Sequence, residues 1–252
     1  MAETFHFNIS MISRGKSKSA VASAAYISCE KIKNEWDGVT HDYHNKKGLL
    51  HSEIFLLENI PKEFQNRSFL WNSVELNEKA SNAQLARNFI IALPKELSFE
   101  ENKKLITEFI QENFVSKGMI ADLAIHDESN EGNNNIHAHI MTTLRPINEK
   151  GQWQAKSKKE YILDDEGNKI LNKNGKPKTR KVELTDWNNK GNAEKWRESF
   201  AEICNIYLER NNLEKRVDHR SFERQGIEEI PTIHLGASAS ALERKGIETD
   251  KG

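Results

Sequence analysis

The sequence predicts an α+β fold with a central antiparallel β-sheet flanked by helices. Segments that alternate apolar and polar residues, as half-buried strands do, are interspersed with segments of helical periodicity. The two kinds do not alternate as regular β-α-β units, which disfavours a parallel sheet. Apolar residues make up 37% and charged residues 30% of the 252 residues, enough for a domain with a substantial core.

Period-2 patterns and short apolar runs predict the strands. Phe5, Phe7 and Ile9 alternate with polar residues and indicate a first strand over residues 5–10. Further strands are expected at residues 53–57, 88–94, 120–127 and 136–144. The last two are joined by the loop E-S-N-E-G-N-N-N, so we expect them to pair as antiparallel neighbours.

Caps and apolar stripes predict the helices. Ser19 is a good N-cap for a helix over residues 20–33. The other helices are expected at residues 67–87, 98–117, 191–210 and 237–246. Two polar segments are expected to be loops: S-R-G-K-S-K-S, which ends at Ser19, and residues 34–52 after the first helix.

Charge is balanced overall but locally uneven. The formal net charge is −1, yet residues 155–181 carry nine Lys and Arg against four Asp and Glu. This stretch lies in a lysine-rich excursion over residues 150–185, where D-D-E-G-N-K and K-N-G-K-P-K indicate turns and a hairpin. A near-neutral protein can present a basic surface, because association follows the local field.

Cysteine usage and hydropathy bear on location. Cys29 and Cys204 are far apart and form neither a disulfide framework nor a zinc ribbon pattern. No apolar run approaches the roughly 18 residues of a membrane helix, and M-A-E-T-F-H-F lacks the pattern of a secretory signal. We expect a cytoplasmic protein without membrane insertion.

The segment N-I-H-A-H-I-M-T-T-L places two histidines on one strand face. Side chains alternate along a strand, so His137 and His139 point the same way, and His126 can join them from the preceding strand. Three imidazoles suit a catalytic-type metal site. The competing interpretation is ordinary core packing. The cluster H-D-Y-H at residues 41–44 is a rival, although loop histidines are mostly bystanders.

Tyr26 lies off the apolar side of the first helix, on a face of small and polar residues. The pattern is compatible with an ordinary surface tyrosine. The functional interpretation is a nucleophile, and a phenol with a pKa near 10 would need a base or a metal to react at neutral pH.

Four groups of motifs occur in order from about residue 5 to the chain's end. They are H-F-N-I-S-M-I-S-R-G with S-A-V-A-S-A-A-Y, then N-A-Q-L-A-R-N-F-I-I-A-L-P, then A-I-H-D with N-I-H-A-H-I-M-T-T-L-R, then R-V-D-H-R-S-F-E-R-Q-G-I with H-L-G-A-S-A. Together they resemble the MobA/MobL-type (MobQ class) plasmid relaxases of the HUH endonuclease superfamily. The resemblance implies the ferredoxin-like relaxase fold, and residues 1–252 as a single relaxase domain at the N-terminal end of a longer protein.

The same resemblance implies an activity and its residues. Such enzymes nick one strand at a plasmid transfer origin, form a 5′-phosphotyrosine link with a free 3′-OH, and religate after conjugative mobilisation. By position, Tyr26 would be the nucleophile, and His126, His137 and His139 would bind Mn²⁺ or Mg²⁺. The implied partners are single-stranded DNA with an adjacent hairpin, accessory relaxosome proteins and coupling proteins.

Asn88 departs from the family pattern, which has an acidic residue after Ala-Arg. An asparagine can accept a hydrogen bond but carries no charge, so it would preserve geometry and weaken a base. Glu75 and Glu78 are fallback proton acceptors.

Basic residues are candidates for binding DNA. Arg14, Lys16 and Lys18 precede the Tyr26 helix. The excursion adds Lys156, Lys158, Lys159, Lys178, Arg180 and Lys181. Trp153 and Trp187 bracket the excursion and would either stack on bases or pack inside the protein.

Two other functions remain open from the sequence. A rolling-circle replication initiator often has a second catalytic tyrosine near the first, and the first helix offers only Tyr26. A catalytically impaired or silent single-stranded DNA-binding module on the same fold would be compatible with Asn88.

Overall fold

A five-stranded antiparallel sheet organises the chain, in the order β1-β5-β7-β6-β4. The computed structural model describes residues 5–127, 135–228 and 246. The strands are β1 (Phe7–Ser13), β2 (Lys31–Lys33), β3 (Thr40–Asp42), β4 (Leu49–Phe55), β5 (Gln84–Ala92), β6 (Ala121–Asp127), β7 (Ile136–Thr142), β8 (Ser157–Tyr161) and β9 (Thr179–Glu183). The helices are α1 (Ala20–Ser28), α2 (Arg67–Asn77), α3 (Phe99–Asn113), α4 (Asn192–Arg210) and α5 (Phe222–Gln225).

Residues 6–217 form one compact unit that contains every one of these elements except α5. The predicted α+β class with a flanked antiparallel sheet is confirmed. Within the described residues, no helix is both long enough and apolar enough to cross a membrane.

Each face of the sheet packs against a pair of helices. On one face, Ile12 and Met141 join the buried residues of α1 and α2 in a single apolar cluster. On the other face, Phe7 and Phe89 contact aromatic side chains of α3 and α4, with ring centroids 5.4 to 5.9 Å apart. The two cores explain why both pairs of helices are amphipathic.

Three predicted boundaries were wrong. The first helix ends at Cys29, which adopts a left-handed conformation (φ 56°) without the glycine that usually signals such an end. Residues 31–33 therefore form β2 instead of continuing the helix. The second helix ends at Asn77, and residues 84–87 begin β5, because β5 pairs with strands on both sides.

The region predicted to be turns, residues 34–52, also contains β3 and the start of β4. The predicted hairpin within residues 150–185 is confirmed as β8 and β9. Gly167 and Gly175 have φ values of 85° and 71° in the two turns at its tip. The helix predicted near residues 237–246 lies outside the described residues except for Gly246.

A buried carboxylate links three elements. Asp122 of β6 is fully buried and accepts hydrogen bonds from Arg67 of α2, through Nε and Nη2 at 2.9 to 3.1 Å. Trp71 Nε1 donates to the same carboxylate at 2.8 Å. The Arg67 guanidinium also pairs with Glu30, just beyond α1. These contacts fix α2 and the end of α1 against β6.

We expect Asp122→Asn to lower the free energy of unfolding by about 3 kcal/mol, because it leaves a buried guanidinium without its main counter-charge. Chemical denaturation would measure the loss. Glu160→Gln, which breaks exposed pairs with Lys158 and Arg180, is the control and should leave stability unchanged. Equal stabilities of the two variants would contradict the role given to Asp122.

Candidate active site

Three histidines converge on the face of the sheet that packs against α1. In the pairing of β6 with β7, His126 lies opposite His137, and Ala124 lies opposite His139. The ring centroids are 5.8 Å apart for His126 and His137, 5.2 Å for His126 and His139, and 4.9 Å for His137 and His139. The predicted strand pairing therefore brings all three imidazoles together.

Backbone carbonyls orient two of the rings. His126 Nε2 donates to the carbonyl of Ile27 in α1 at 2.6 Å, and His137 Nδ1 donates to the carbonyl of Asn135 at 2.9 Å. In a neutral imidazole, such a hydrogen bond leaves the other nitrogen with a lone pair. Metal-binding histidines commonly donate their second N–H to a carbonyl in this way.

The ammonium group of a lysine lies next to this histidine cluster. Lys46 Nζ donates to His126 Nδ1 at 3.0 Å. Burial lowers the pKa of His139 to about 3, with the charges of His137, His126 and Lys46 acting in the same direction. His139 is therefore neutral at physiological pH, which is the protonation state that binds metals.

The three imidazoles are of the residue type that binds a divalent metal, and His139 is in the required neutral state. Within the described residues, no group of three His, Cys, Asp or Glu side chains is arranged to hold a metal ion as it stands. The position of Lys46 is consistent with this, because its ammonium would have to move away from His126 Nδ1 before a metal could bind there.

Tyr26 faces the same region from α1. Ser19 caps this helix as predicted, accepting from the N–H of Ala22 at 3.1 Å. Tyr26 keeps 41% of its surface exposed and opens, together with His139 and Asn88, on a cavity of about 380 Å³. The small side chains of α1 leave room for a ligand beside the phenol.

Sequence reasoning missed two neighbours of Tyr26. The ring of Tyr43 contacts it edge-on at 5.3 Å between centroids, and Lys46 Nζ lies 4.5 Å from the centre of the Tyr26 ring. Both residues lie after β3, in the polar segment 34–52 that was predicted to be a loop. The adjoining His44 pairs with Asp42 instead. No sequence pattern links residues 43 and 46 with residue 26.

Asn88 lies on the same sheet face as the histidines, opposite Met141 of β7 and Ser10 of β1. Its Nδ2 donates a long hydrogen bond, 3.4 Å, to Ser10 Oγ. Because it lines the cavity with Tyr26 and His139, its position allows a polar contact with a bound ligand. It supplies no charge there.

The structure gives Arg14 a different environment from the one expected of a phosphate ligand. Its guanidinium pairs with the buried Glu75 at 2.7 Å and donates to the carbonyls of Glu75, Glu78 and Ala80. Glu75 Oε1 also accepts from the N–H of Ala20, the first residue of α1, at 2.8 Å. We therefore assign Arg14 and Glu75 to positioning α1, the helix that carries Tyr26.

The second fallback acid, Glu78, is also engaged. It pairs with Arg145 and Lys156, each at 2.6 Å. Lys156 is half-buried at the base of the β8–β9 hairpin and donates to the carbonyl of Gln84 as well. These contacts anchor the hairpin, so neither Glu78 nor Lys156 is placed to act on a substrate at Tyr26.

The remaining basic candidates are exposed: Lys16, Lys18, Lys158, Lys159, Lys178, Arg180 and Lys181. Lys159 lies directly opposite Lys181 in the hairpin. The Lys181 ammonium also pairs with Glu183, which offsets the repulsion between these like charges. Lys158 and Arg180 pair with Glu160 on the other face.

The two bracketing tryptophans pack inside the protein. Trp187 is buried, and its carbonyl accepts from Arg87 at 3.0 Å. Trp153 contacts Phe64 edge-on, with centroids 5.8 Å apart.

Comparisons with known proteins bear on the family and the fold. The sequence profile described as the MobA/MobL family matches residues 18–245. Conjugal transfer protein TraA of Agrobacterium fabrum is 39% identical, over 95% of this chain and 22% of that protein. Mobilization protein MobL of Acidithiobacillus ferridurans is 30% identical, over 96% of this chain and 64% of that protein. The chain thus spans about a fifth of TraA and less than two thirds of MobL.

A solved structure also has a fold similar to that of this chain. It is described as "Molecular Basis of Vancomycin Resistance Transfer in Staphylococcus aureus" and matches with a TM-score of 0.72 at 32% identity. The match covers 87% of this chain and 100% of that chain.

The different positions of Arg14 and Lys18 give a test. We expect Arg14→Gln to lower the free energy of unfolding by about 3 kcal/mol, because it leaves the buried Glu75 carboxylate without its partner. Lys18→Gln should leave stability unchanged and reduce the salt dependence of single-stranded DNA binding by about one unit of slope. Denaturation and salt titrations would measure both. A stable Arg14→Gln variant with weakened DNA binding would reverse the assignment.

Proposed function

This chain belongs to the MobA/MobL family, and from that premise we propose that it is a relaxase that nicks one strand of a plasmid transfer origin. The observation that carries the proposal is the shared cavity: Tyr26, Asn88 and His139 open on one space although they come from three elements. Clustered groups of these kinds are what attack on a phosphodiester requires. The activity, substrate and partners all belong to this proposal.

The proposed reaction exchanges one ester for another. The Tyr26 oxygen attacks the scissile phosphorus, a new P–O bond forms to the phenol, and the bond from phosphorus to the 3′-oxygen breaks. The phenol loses its proton and the 3′-oxygen gains one, which leaves a 5′-phosphotyrosine and a free 3′-OH. Since the new ester retains the free energy of the old one, the reverse reaction can religate the strand without ATP.

Charges on the chain's own residues favour the attack. The Lys46 ammonium lies 4.5 Å from the Tyr26 ring, where it would stabilise a phenolate. Neutral His139 can accept a hydrogen bond at its unprotonated ring nitrogen, but with a pKa of about 3 it is too weak a base to hold the phenol proton. Tyr43 packs edge-on against Tyr26 and restricts the orientation of the phenol. When bound by His126, His137 and His139, Mn²⁺ or Mg²⁺ would polarise the phosphate and offset charge in the transition state.

Exposed basic residues suggest a path for the DNA. Lys16 and Lys18 precede α1 and would contact phosphates near Tyr26. The hairpin residues Lys158, Lys159, Arg180 and Lys181 would contact flanking DNA, including a hairpin beside the origin. Under this proposal, accessory relaxosome and coupling proteins would act with it in the cytoplasm.

Two observations are compatible with the other two functions, the replication initiator and the binding module. Tyr43 beside Tyr26 resembles the paired tyrosines expected of a rolling-circle initiator. Asn88, where an acid was expected, would suit a binding module without catalysis. Both functions make predictions that differ from those of the relaxase.

We expect the parent protein, incubated with Mn²⁺ and single-stranded DNA from its own transfer origin, to form a covalent adduct visible on a denaturing gel. Tyr26→Phe should abolish the adduct, because no oxygen remains to attack phosphorus, and a chelator should suppress it. Tyr43→Phe is the matched control and should retain the adduct.

The outcomes separate the functions. Loss of the adduct in Tyr43→Phe, together with DNA attached to the Tyr43 peptide of the parent protein, would favour the two-tyrosine initiator. DNA binding without an adduct in any variant would leave a binding module and exclude the nickase.

Asn88→Glu tests the missing acid. We expect it to speed adduct formation at neutral pH by on the order of tenfold or more, because a carboxylate in this cavity can accept the phenol proton or orient a histidine. Asn88→Gln is the control of equal size without the charge. An unchanged rate in Asn88→Glu, measured as single-turnover kinetics, would mean that the proton leaves by another route.

A further inference from the structure

A second cavity, of about 290 Å³, adjoins the one that contains Tyr26. The two share four lining residues at the start of α1: Ser17, Lys18, Ser19 and Ala22. The second cavity extends from there to Trp36, in the turn between β2 and β3, and to His41 of β3. Nothing in the proposed chemistry uses this space.

Trp36 forms one wall of this cavity. The Arg14 guanidinium lies 3.8 Å from the centre of the indole and covers one face of it. Arg14 is itself held by Glu75, so the indole rests on a fixed support. The side chain nevertheless keeps 41% of its surface exposed. An exposed, supported indole is a surface on which a planar ring can stack.

Polar groups around the indole are compatible with a nucleotide. Lys18 lies between the two cavities and is exposed, so it can contact a phosphate. His41 Nε2 is buried and has no hydrogen-bond partner within the part of the chain that the structure describes. A buried polar atom without a partner is unfavourable, and the edge of a base could supply one.

We propose that this second cavity is a base-binding subsite, in which an unpaired nucleotide of single-stranded DNA stacks on Trp36 and hydrogen-bonds to His41. The inference rests on the proposed function in one respect: it takes the strand bound here to be the strand that Tyr26 attacks. Lys18 holds the intervening phosphate, and the start of α1 separates the stacked base from the scissile bond. The subsite requires an unpaired base, so it selects single-stranded over duplex DNA at this position.

The test compares two probes without metal. One is an oligodeoxythymidine of about twelve nucleotides, within the usual span of single-stranded DNA sites, and the other is an abasic strand of equal length. We expect the parent to prefer the thymidine strand by on the order of tenfold, the usual contribution of one stacked base. Trp36→Ala should lose that preference, and Trp36→Phe should keep part of it. Ile206→Ala, which removes another exposed apolar side chain, is the control and should bind as the parent does.

Tryptophan fluorescence of the parent provides a second measurement that does not depend on the stability of any alanine variant. The thymidine strand should quench the emission and the abasic strand should not, and annealing with oligodeoxyadenosine should reverse the quenching. Trp36→Phe should show no such quenching. Unchanged emission of the parent on binding, or full base preference in a folded Trp36→Ala variant, would overturn the subsite and leave Trp36 as a cover for Arg14.

The base-preference test and the adduct assay can succeed or fail independently of each other. A Trp36-dependent base preference without an adduct would retain the subsite and reject the nickase. An adduct lost in Tyr26→Phe, with base preference unaffected by Trp36→Ala, would do the reverse.

Discussion

The arrangement of the site depends on one buried charge, the carboxylate of Asp122. It lies on the strand that carries His126, and it holds Arg67 of α2 and Trp71 by hydrogen bonds. A fully buried carboxylate is tolerated only when its hydrogen-bonding capacity is met. Arg67 meets it and also reaches Glu30, beyond the end of α1. The helix that carries Tyr26 is thereby fixed to the strand that carries His126.

A second carboxylate holds the other end of the same helix. Glu75 accepts from the N–H of Ala20 and pairs with Arg14. Acidic groups are favourable at a helix N-terminus, where they satisfy free N–H groups and the helix dipole. Anchored at both ends from α2, α1 can present Tyr26 to solvent without losing its position. The charged residues around the site thus divide into those that hold α1 and those, such as Lys18, that remain exposed.

The sequence predicted the elements that carry the candidate site residues and the faces on which these residues lie. Period-2 alternation put His137 and His139 on one face of a strand, and the pairing with the neighbouring strand followed from a short connecting loop. Ser19 marked the start of α1 correctly. These features are local, because they depend on backbone geometry and on residues close in the chain. The end of α1 at Cys29 was missed because a left-handed residue other than glycine leaves no clear local signal.

The sequence by itself determined the α+β class, the family motifs, and the faces of Tyr26 and the histidines. Only the tertiary structure decided which side chains surround them. In the structure, Tyr43 and Lys46 contact Tyr26 from a polar segment. Arg14, which the sequence made a candidate for binding DNA, pairs with Glu75, and Trp36 lines a second cavity. Contacts between residues distant in the chain depend on how helices and loops pack on the sheet, and no short-range pattern records that packing.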